Sequence, residues 1–274
     1  MRLIAVDIGN SATKFGIALN GRIAIRDVFV VENDRPINAE AMHWLSIRPE
    51  SNWSICSVNN LRTVELQNWL RRNRPNDRVN LIQANDIDLV AQVDSRESLG
   101  RDRLVGAWRA RQLYPQGALV VIDAGTAVTI DLVDAQSVFQ GGLIFPGART
   151  MLKILAKQTA ALPDLSKREV QAADDNAELT PAATSATCQS IEPSRFPVVG
   201  RSTQQAILLG VYQTQLSTLV KVVEAHRERF GEPLSVITTG GGMPELRRWL
   251  PQDWQHHPHL VLEGALSMAQ DALN

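Results

Sequence analysis

The sequence predicts an α/β protein of two structurally related halves facing one another across a cleft, and one repeated pattern predicts it. Residues 3–6 are a short apolar run of β type that ends at Asp7-Ile8-Gly9-Asn10-Ser11, after which residues 15–19 are apolar again, giving strand, tight turn, strand. Residues 118–122 run into Asp123-Ala124-Gly125-Thr126, and residues 128–133 resume the strand pattern. A unit of strand, Asp-x-Gly-polar and strand that recurs at domain scale is what two related halves leave in a chain, and ligands favour the cleft between such halves. The length of 274 residues suits two domains, which we expect at 1–116 and 117–274, with the boundary marked by Pro115 and Gly117.

The remaining elements follow in order. Residues 53–58 and 79–82 carry strand-type runs, with a helix over 61–74 between them. Residues 100–114 read as a helix with Leu104 and Trp108 on one face, and residues 150–161 as another after Pro146-Gly147. Residues 202–230 place Leu209, Tyr212, Leu216, Leu219 and Val223 at alternating steps of three and four, a long amphipathic helix with Ser202 as its N-cap. A strand over 234–238 runs into Gly240-Gly241-Gly242, and residues 263–273 form a terminal helix. Residues 164–199 have scattered charges, Ala, Thr, Ser and Pro and few adjacent large apolar side chains, so burial there offsets little ordering entropy and a mobile surface insertion is expected.

Composition narrows the class. With 44% hydrophobic residues the chain is neither fibrous, collagenous nor wholly disordered. Its 28 Lys plus Arg against 29 Asp plus Glu give a net charge of -1, so no broad electrostatic footprint for nucleic acid or an anionic membrane is present. Cys56 and Cys188 lie outside any CxxC spacing, which points to neither a disulfide framework nor a zinc site and leads to the expectation of a reducing, cytoplasmic compartment. The N-terminus lacks a signal-peptide layout, and no stretch approaches the ~20 apolar residues of a membrane span.

The first hairpin gathers Asp7, Gly9, Asn10, Ser11, Thr13 and Lys14. Small residues let a phosphate approach backbone amides, hydroxyls donate to its oxygens, and an acid at a strand end can hold hydrated Mg²⁺. A Gly-Asn turn on its own is an ordinary hairpin. It gains meaning from the repeat through Asp123 to Asp131 and from Thr239-Gly240-Gly241-Gly242 after a late strand. Neither GxxxxGK[ST] nor GxGxxG after a strand occurs, so the P-loop and dinucleotide-binding architectures are disfavoured.

This combination resembles the acetate kinase, hexokinase, Hsp70 and actin clan, and more narrowly the type III pantothenate kinases. The likeness is carried by Asp7-Ile-Gly-Asn-Ser-Ala-Thr-Lys14, Gly100-Arg-Asp-Arg103, Asp123-Ala-Gly-Thr-Ala-Val-Thr129, Gly141-Gly-Leu-Ile-Phe-Pro-Gly147, Thr159-Ala-Ala-Leu-Pro163, and Gly200-Arg-Ser-Thr203 leading to Ala206-Ile207 and Gly210. The resemblance implies two ribonuclease-H-like lobes and transfer of the γ-phosphoryl group of ATP to the primary hydroxyl of pantothenate, the first step toward coenzyme A. By the same resemblance, Asp7, Ile8, Gly9, Asn10, Ser11, Ala12, Thr13, Lys14 and Thr126 meet ATP, with Asp7 near Mg²⁺. Asp123 matches a monovalent-cation position for potassium or ammonium, and Gly100, Arg101, Asp102, Arg103 and Thr203 match the pantothenate contacts. Asp102 matches the catalytic base, a role that suits a carboxylate orienting the attacking hydroxyl. Arg103 could pair with the substrate carboxylate. Taken without the other blocks, Asp102 and Arg103 read more readily as a solvated charge pair in a helix first turn.

Three features depart from the family pattern. Residues 164–199 are longer than its usual connection, Val93 stands where an aromatic residue is often found, and the glycine cluster carries a third glycine, Gly242. The family is typically homodimeric, with the 202–230 helix as the interface candidate. His256, His257 and His259 are too irregularly spaced for a metal site to be expected, and His43 and His226 read as helix-surface residues. Trp44, Trp53, Trp69, Trp108, Trp249 and Trp254 read as core or interface anchors, and Cys56 as a small buried hydrophobe. Two rivals remain: another small-molecule kinase of the clan, and a nucleotide-binding regulatory or filament-forming protein.

Overall fold

A computed structural model describes residues 2–19, 22–37, 50–166 and 199–271. Most of the 164–199 segment, together with His43, Trp44 and Cys188, lies outside the described residues. The chain forms two compact units. Unit 1 is residues 1–119, 131–141 and 259–274, and unit 2 is residues 120–130 and 142–258. The chain first passes between them after Leu119. The returns at 131–141 and 259–274 have no marker in the sequence, because strands that run through both units look continuous in a hydropathy pattern.

Unit 1 is built on the strands β1 (Arg2–Ile8), β2 (Ala12–Leu19), β3 (Arg22–Glu32), β4 (Ser51–Ser57) and β5 (Arg78–Leu81). Their order in the sheet is β3-β2-β1-β4-β5. Strands β1, β2 and β3 form an antiparallel meander, while β4 and β5 join in parallel. Parallel neighbours need a crossover, supplied between β4 and β5 by helix α1 (Asn60–Asn73), whose N-cap Asn59 accepts the Arg62 amide. A short 3₁₀ turn (Ala84–Asp86) and strand β6 (Val90–Ala91) lead to helix α2 (Arg101–Leu113).

Strand alternation sorts the side chains. Ile4, Val6 and Ile8 of β1, Phe15 and Ile17 of β2, and Trp53 and Ile55 of β4 face Leu66 and Leu70 of α1 in one core cluster. Asp7 and its register partners Lys14 and Cys56 occupy the alternate positions, on the opposite face. That face is covered by α2 and by the terminal helix α6 (Leu260–Asp271), which pack on each other and on β4.

The remaining elements are β7 (Ala118–Ala124), β8 (Ala127–Val133), β9 (Val138–Pro146), α3 (Ala148–Gln158), α4 (Thr203–Phe230), β10 (Leu234–Thr239), α5 (Met243–Arg247) and β11 (Gln255–His256). The second sheet runs β11-β10-β7-β8-β9-β6. Apart from the short edge strand β6, this is the order of the first sheet, so the two hairpins begin the same topology twice. Strands β3, β6, β9 and β11 and helix α5 were not expected. Residues 138–146 were masked as a strand by Gly141-Gly142, which carry no side chain to alternate. Helix α3 ends at Gln158, not at 161, because Thr159 is extended and its hydroxyl donates to Leu155 O at 2.7 Å.

Helix α4 is long and apolar enough to cross a membrane, with a mean hydropathy of 1.3 over its most apolar window, which corrects the expectation that no such stretch exists. Of that window, 44% is buried inside the protein, and Leu209, Tyr212, Leu216, Leu219 and Val223 are among its buried residues, as their spacing predicts. Trp53, Trp108, Trp249 and Trp254 are buried core anchors, and Trp69 packs at the margin of the core.

One polar knot pins the edge of the first sheet. Asp77 receives the Trp53 indole N–H at 2.7 Å, the Ser51 amide at 3.1 Å and the Arg74 guanidinium at 2.6 Å. Burial alone would raise its pKa, but these hydrogen bonds and the Arg74 charge hold it below the usual carboxylate range. A lowered folded-state pKa stabilises the protein above the unfolded value and loses that contribution as pH falls through the folded one. Asp77→Asn is therefore expected to cost about 2 kcal/mol at neutral pH, with the difference from the parent shrinking below about pH 4. Denaturant melts across that range check both the size and the convergence.

Candidate active site

In unit 1 the site begins at the end of β1. The turn at Gly9, Asn10 and Ser11 closes with Gly9 N–H donating to Ala12 O at 3.0 Å. Asn33 clamps it from β3's end, with its backbone amide on Ser11 O at 2.8 Å and its side-chain amide on Gly9 O at 2.8 Å. Sequence reasoning missed Asn33, since nothing local links it to the hairpin. Asp7 is buried and pairs with Lys14 Nζ at 3.3 Å.

The eight hairpin residues do not share a face. Ile8 lies in the core and its carbonyl accepts the Val58 amide at 3.0 Å. Thr13 is fully buried on the same face as Ile8. Its hydroxyl donates to Asn33 Oδ1 at 2.8 Å and receives Arg62 Nε at 3.4 Å. The side chains of Ile8 and Thr13 therefore hold the hairpin, whereas Asn10 and Ser11 are exposed at its tip and Asp7 and Lys14 line the opposite face.

Asp102 enters that face from the first turn of α2. Its Oδ1 accepts the Arg103 amide at 2.8 Å, and a Cβ on Gly100, the helix N-cap, would stand 2.6 Å from the same oxygen. Glycine at position 100 thus gives the carboxylate room to fold back over the helix start. Burial raises the Asp102 pKa first, and the Asp7 charge raises it further. The Arg103 amide and guanidinium pull in the other direction without cancelling the rise. Cys56, wholly buried beside Asp7 in register, has its thiol pushed up by burial and then by Asp7 and Asp102, which makes it an inert packing residue.

The neighbouring arginines behave differently from one another. Arg101 reaches Ser57 O at 3.4 Å and Gln83 Oε1 at 3.3 Å. Arg103, expected to meet a substrate carboxylate, is engaged by a protein carboxylate. Its Nε donates to Asp131 Oδ1 at 2.9 Å, its Nη2 donates to the same oxygen, and its guanidinium lies 5.7 Å from the Phe139 ring centroid.

Unit 2 assembles its own constellation. Gly125 N–H donates to Ala127 O at 3.0 Å, and Thr126 O accepts the Gly147 amide at 2.9 Å and the Thr150 hydroxyl at 2.6 Å. The glycine cluster closes on this hairpin, with Gly242 N–H donating to Ala124 O at 2.8 Å. Gly240 has φ +97°, and a Cβ there would fall 2.3 Å from Asp123 Oδ1 and 2.6 Å from Ala124 O. The Asp123 hairpin, Gly147 and residues 240–242 are therefore brought together, while the side chain of Thr126 stays exposed. Glu245 on α5 accepts the Tyr212 hydroxyl of α4, which ties the element after the glycine cluster to the long helix. Burial and then Glu245 raise the Tyr212 pKa.

Thr203 is the exposed first residue of α4, capped by Ser202, which accepts the Gln205 amide at 3.2 Å. It belongs to unit 2 and the residues 100–103 to unit 1. His256 Nδ1 lies 3.1 Å from both the hydroxyl and the carbonyl oxygen of Thr238. Among the described residues no group of three or more His, Cys, Asp or Glu could hold a metal ion by side chains alone.

Two sheets that share the strand order of ribonuclease H, each opening on a hairpin with an aspartate near the end of its first strand, place the chain in the actin-like ATPase fold class. Within that class the chain belongs to the type III pantothenate kinase family, whose model matches residues 3–225. It is 30% identical over 270 residues to the type III pantothenate kinase of Gloeobacter violaceus, covering 98% of this chain and 99% of that one. Identity to the enzyme of Parafrankia sp. is 26% over 268 residues, 96% of this chain and 95% of that one. The Halorhodospira halophila enzyme is 35% identical over 173 residues, 63% of this chain and 58% of its own length. The fold is shared with a conserved Baf family protein from Campylobacter jejuni, at a TM-score of 0.57, 20% identity and 99% coverage of both chains. The chain is thus a kinase that phosphorylates pantothenate, the reaction that opens coenzyme A biosynthesis.

The close approach at Gly240 gives a direct test of the unit 2 constellation. Gly240→Ala adds a Cβ in a left-handed conformation and inside the contact distance of Asp123, so a loss of about 2 kcal/mol or more in denaturant unfolding is expected. Gly241→Ala, where a Cβ meets open space, is the matched control and should stay within about 0.5 kcal/mol of the parent.

Proposed function

We propose that Asp102 is the general base of this phosphorylation, accepting the proton of the pantothenate hydroxyl as the γ-phosphoryl group of ATP transfers. The observation that carries the reading is the half-buried Asp102 carboxylate in the first turn of α2, whose proton affinity is raised by burial and by Asp7. A base closer in pKa to the working pH takes a hydroxyl proton more readily than an ordinary surface carboxylate. In a loose transition state the proton moves late, so the main contribution of Asp102 is orientation of the hydroxyl. Gly100 and the residues 101–103 are then the pantothenate side of the site.

In the same reading the ATP phosphates meet the main chain at residues 9–12 and Lys14, and Asp7 stands beside the Mg²⁺ that ATP carries. A carboxylate at a strand end, such as Asp7, suits a hard cation. Asp123 is the candidate for potassium or ammonium, supported by its place at a strand end under Gly240, with backbone carbonyls of the same hairpin nearby. These cations would neutralise phosphate charge. A homodimer is consistent with the exposed Leu143, Ile144 and Ile154 on β9 and α3, and a reducing cytoplasmic location with the free buried thiol of Cys56.

Purified protein supplied with ATP, Mg²⁺ and pantothenate should form 4'-phosphopantothenate faster in potassium than in sodium, and equal rates would remove the Asp123 assignment. Asp102→Asn should lower kcat by at least about 100-fold while ATP still binds. Near-normal turnover of that variant would exclude the base role. Stability should respond in the opposite sense. A raised folded-state pKa means the native protein binds the proton more tightly than the unfolded chain, so ionised Asp102 costs stability at neutral pH and that cost fades as pH falls toward about 4. The Asn variant should therefore melt at least as high as the parent at pH 7.

A further inference from the structure

Asp102 and Arg103 are adjacent in one helical turn, where successive side chains leave the helix in different directions, yet the arginine side chain is long and flexible enough to swing back toward a neighbouring carboxylate. Asp102 takes the backbone amide of Arg103, whereas the guanidinium turns to Asp131 on β8, giving that carboxylate two N–H donors. Asp131 is 1% exposed, and the wholly buried Phe139 of β9 lies under the guanidinium at 5.7 Å. All four residues belong to unit 1. We propose that Asp131 is a positioning residue which, with Phe139, draws the Arg103 guanidinium off the Asp102 carboxylate and so keeps that carboxylate open to the incoming hydroxyl. The inference rests on Asp102 acting as the base.

The physical reason is competition between two carboxylates for one cation. A buried guanidinium must be paired, because an uncompensated buried charge is strongly unfavourable. With Asp131 ionised and a ring face beneath it, Arg103 is satisfied away from the reacting hydroxyl. Without the Asp131 charge, the neighbouring carboxylate is Asp102, and a base engaged by a guanidinium has lost both its lone pairs for substrate and part of its basicity. Asp131 touches neither reacting atom in this scheme, so its effect should appear in kcat and leave ATP recognition alone.

Steady-state kinetics of Asp131→Asn should show kcat lowered by about 30-fold with the KM for ATP within about twofold of the parent. Adding Arg103→Gln removes the cation that would occlude Asp102. The double variant should therefore recover at least about fivefold in kcat over Asp131→Asn at saturating pantothenate, a sign of coupling that a purely structural role would not give. A kcat for Asp131→Asn within about threefold of the parent, or losses in the double variant that merely add, would overturn the inference. Should circular dichroism show that Asp131→Asn fails to fold, Phe139→Leu removes the ring beneath the same guanidinium. It should lower kcat by about fivefold with the KM for ATP unchanged, and an unaltered kcat there also overturns the inference. Asp102→Asn is assayed alongside. Full turnover in it sinks the base assignment and this inference together, while its loss beside an unaffected Asp131→Asn sinks only the second.

Discussion

The alternation of β1 is the constraint on which the first unit depends. Ile4, Val6 and Ile8 point to one side of the sheet and into the α1 core, so Asp7 must point to the other. A shift of one residue in register would bury the carboxylate among Phe15, Trp53 and Leu66 and move the isoleucines to the face covered by α2 and α6. The same parity places Lys14 opposite Asp7 on β2 and Cys56 beside it on β4. One hydrophobic face thereby selects which polar residues can meet a ligand, before any chemistry of the ligand is considered.

Gathering carboxylates on the second face has a cost, since two acids in a half-buried setting repel each other and lose hydration. Lys14 meets Asp7, and the start of α2 offers Asp102 an amide and the positive end of the helix. These contacts are incomplete for Asp102, whose proton affinity stays elevated. Under the proposed base role that incompleteness matters, because a carboxylate fully neutralised by a guanidinium would be a stable structural acid with little tendency to take a proton.

Unit 2 uses backbone in place of side-chain charge. Thr126 O, Gly147 N and Gly242 N are paired within one small cluster, and Gly240 approaches Asp123 more closely than any residue with a Cβ could. The third glycine of the cluster, Gly242, donates its amide to Ala124, so it serves the packing of this corner. The Tyr212 to Glu245 hydrogen bond fixes α5, which begins directly after Gly242, to a helix whose buried stripe is part of the core.

The amino-acid sequence by itself determined the paired hairpins, the long α4 and its buried stripe, and the order of the family's motif blocks, because each rests on periodicity or on contiguous residues. It singled out Asp7, Lys14 and Asp102 as candidates for the same reason. It did not separate Thr13 from Lys14, since adjacent hairpin residues look equally available until the core claims one face. Tertiary structure alone decided that Arg103 turns to Asp131 and that Asn33 clamps Gly9. Those contacts join residues 28 and 24 positions apart, and only the folded sheet brings such partners within the short reach of a hydrogen bond.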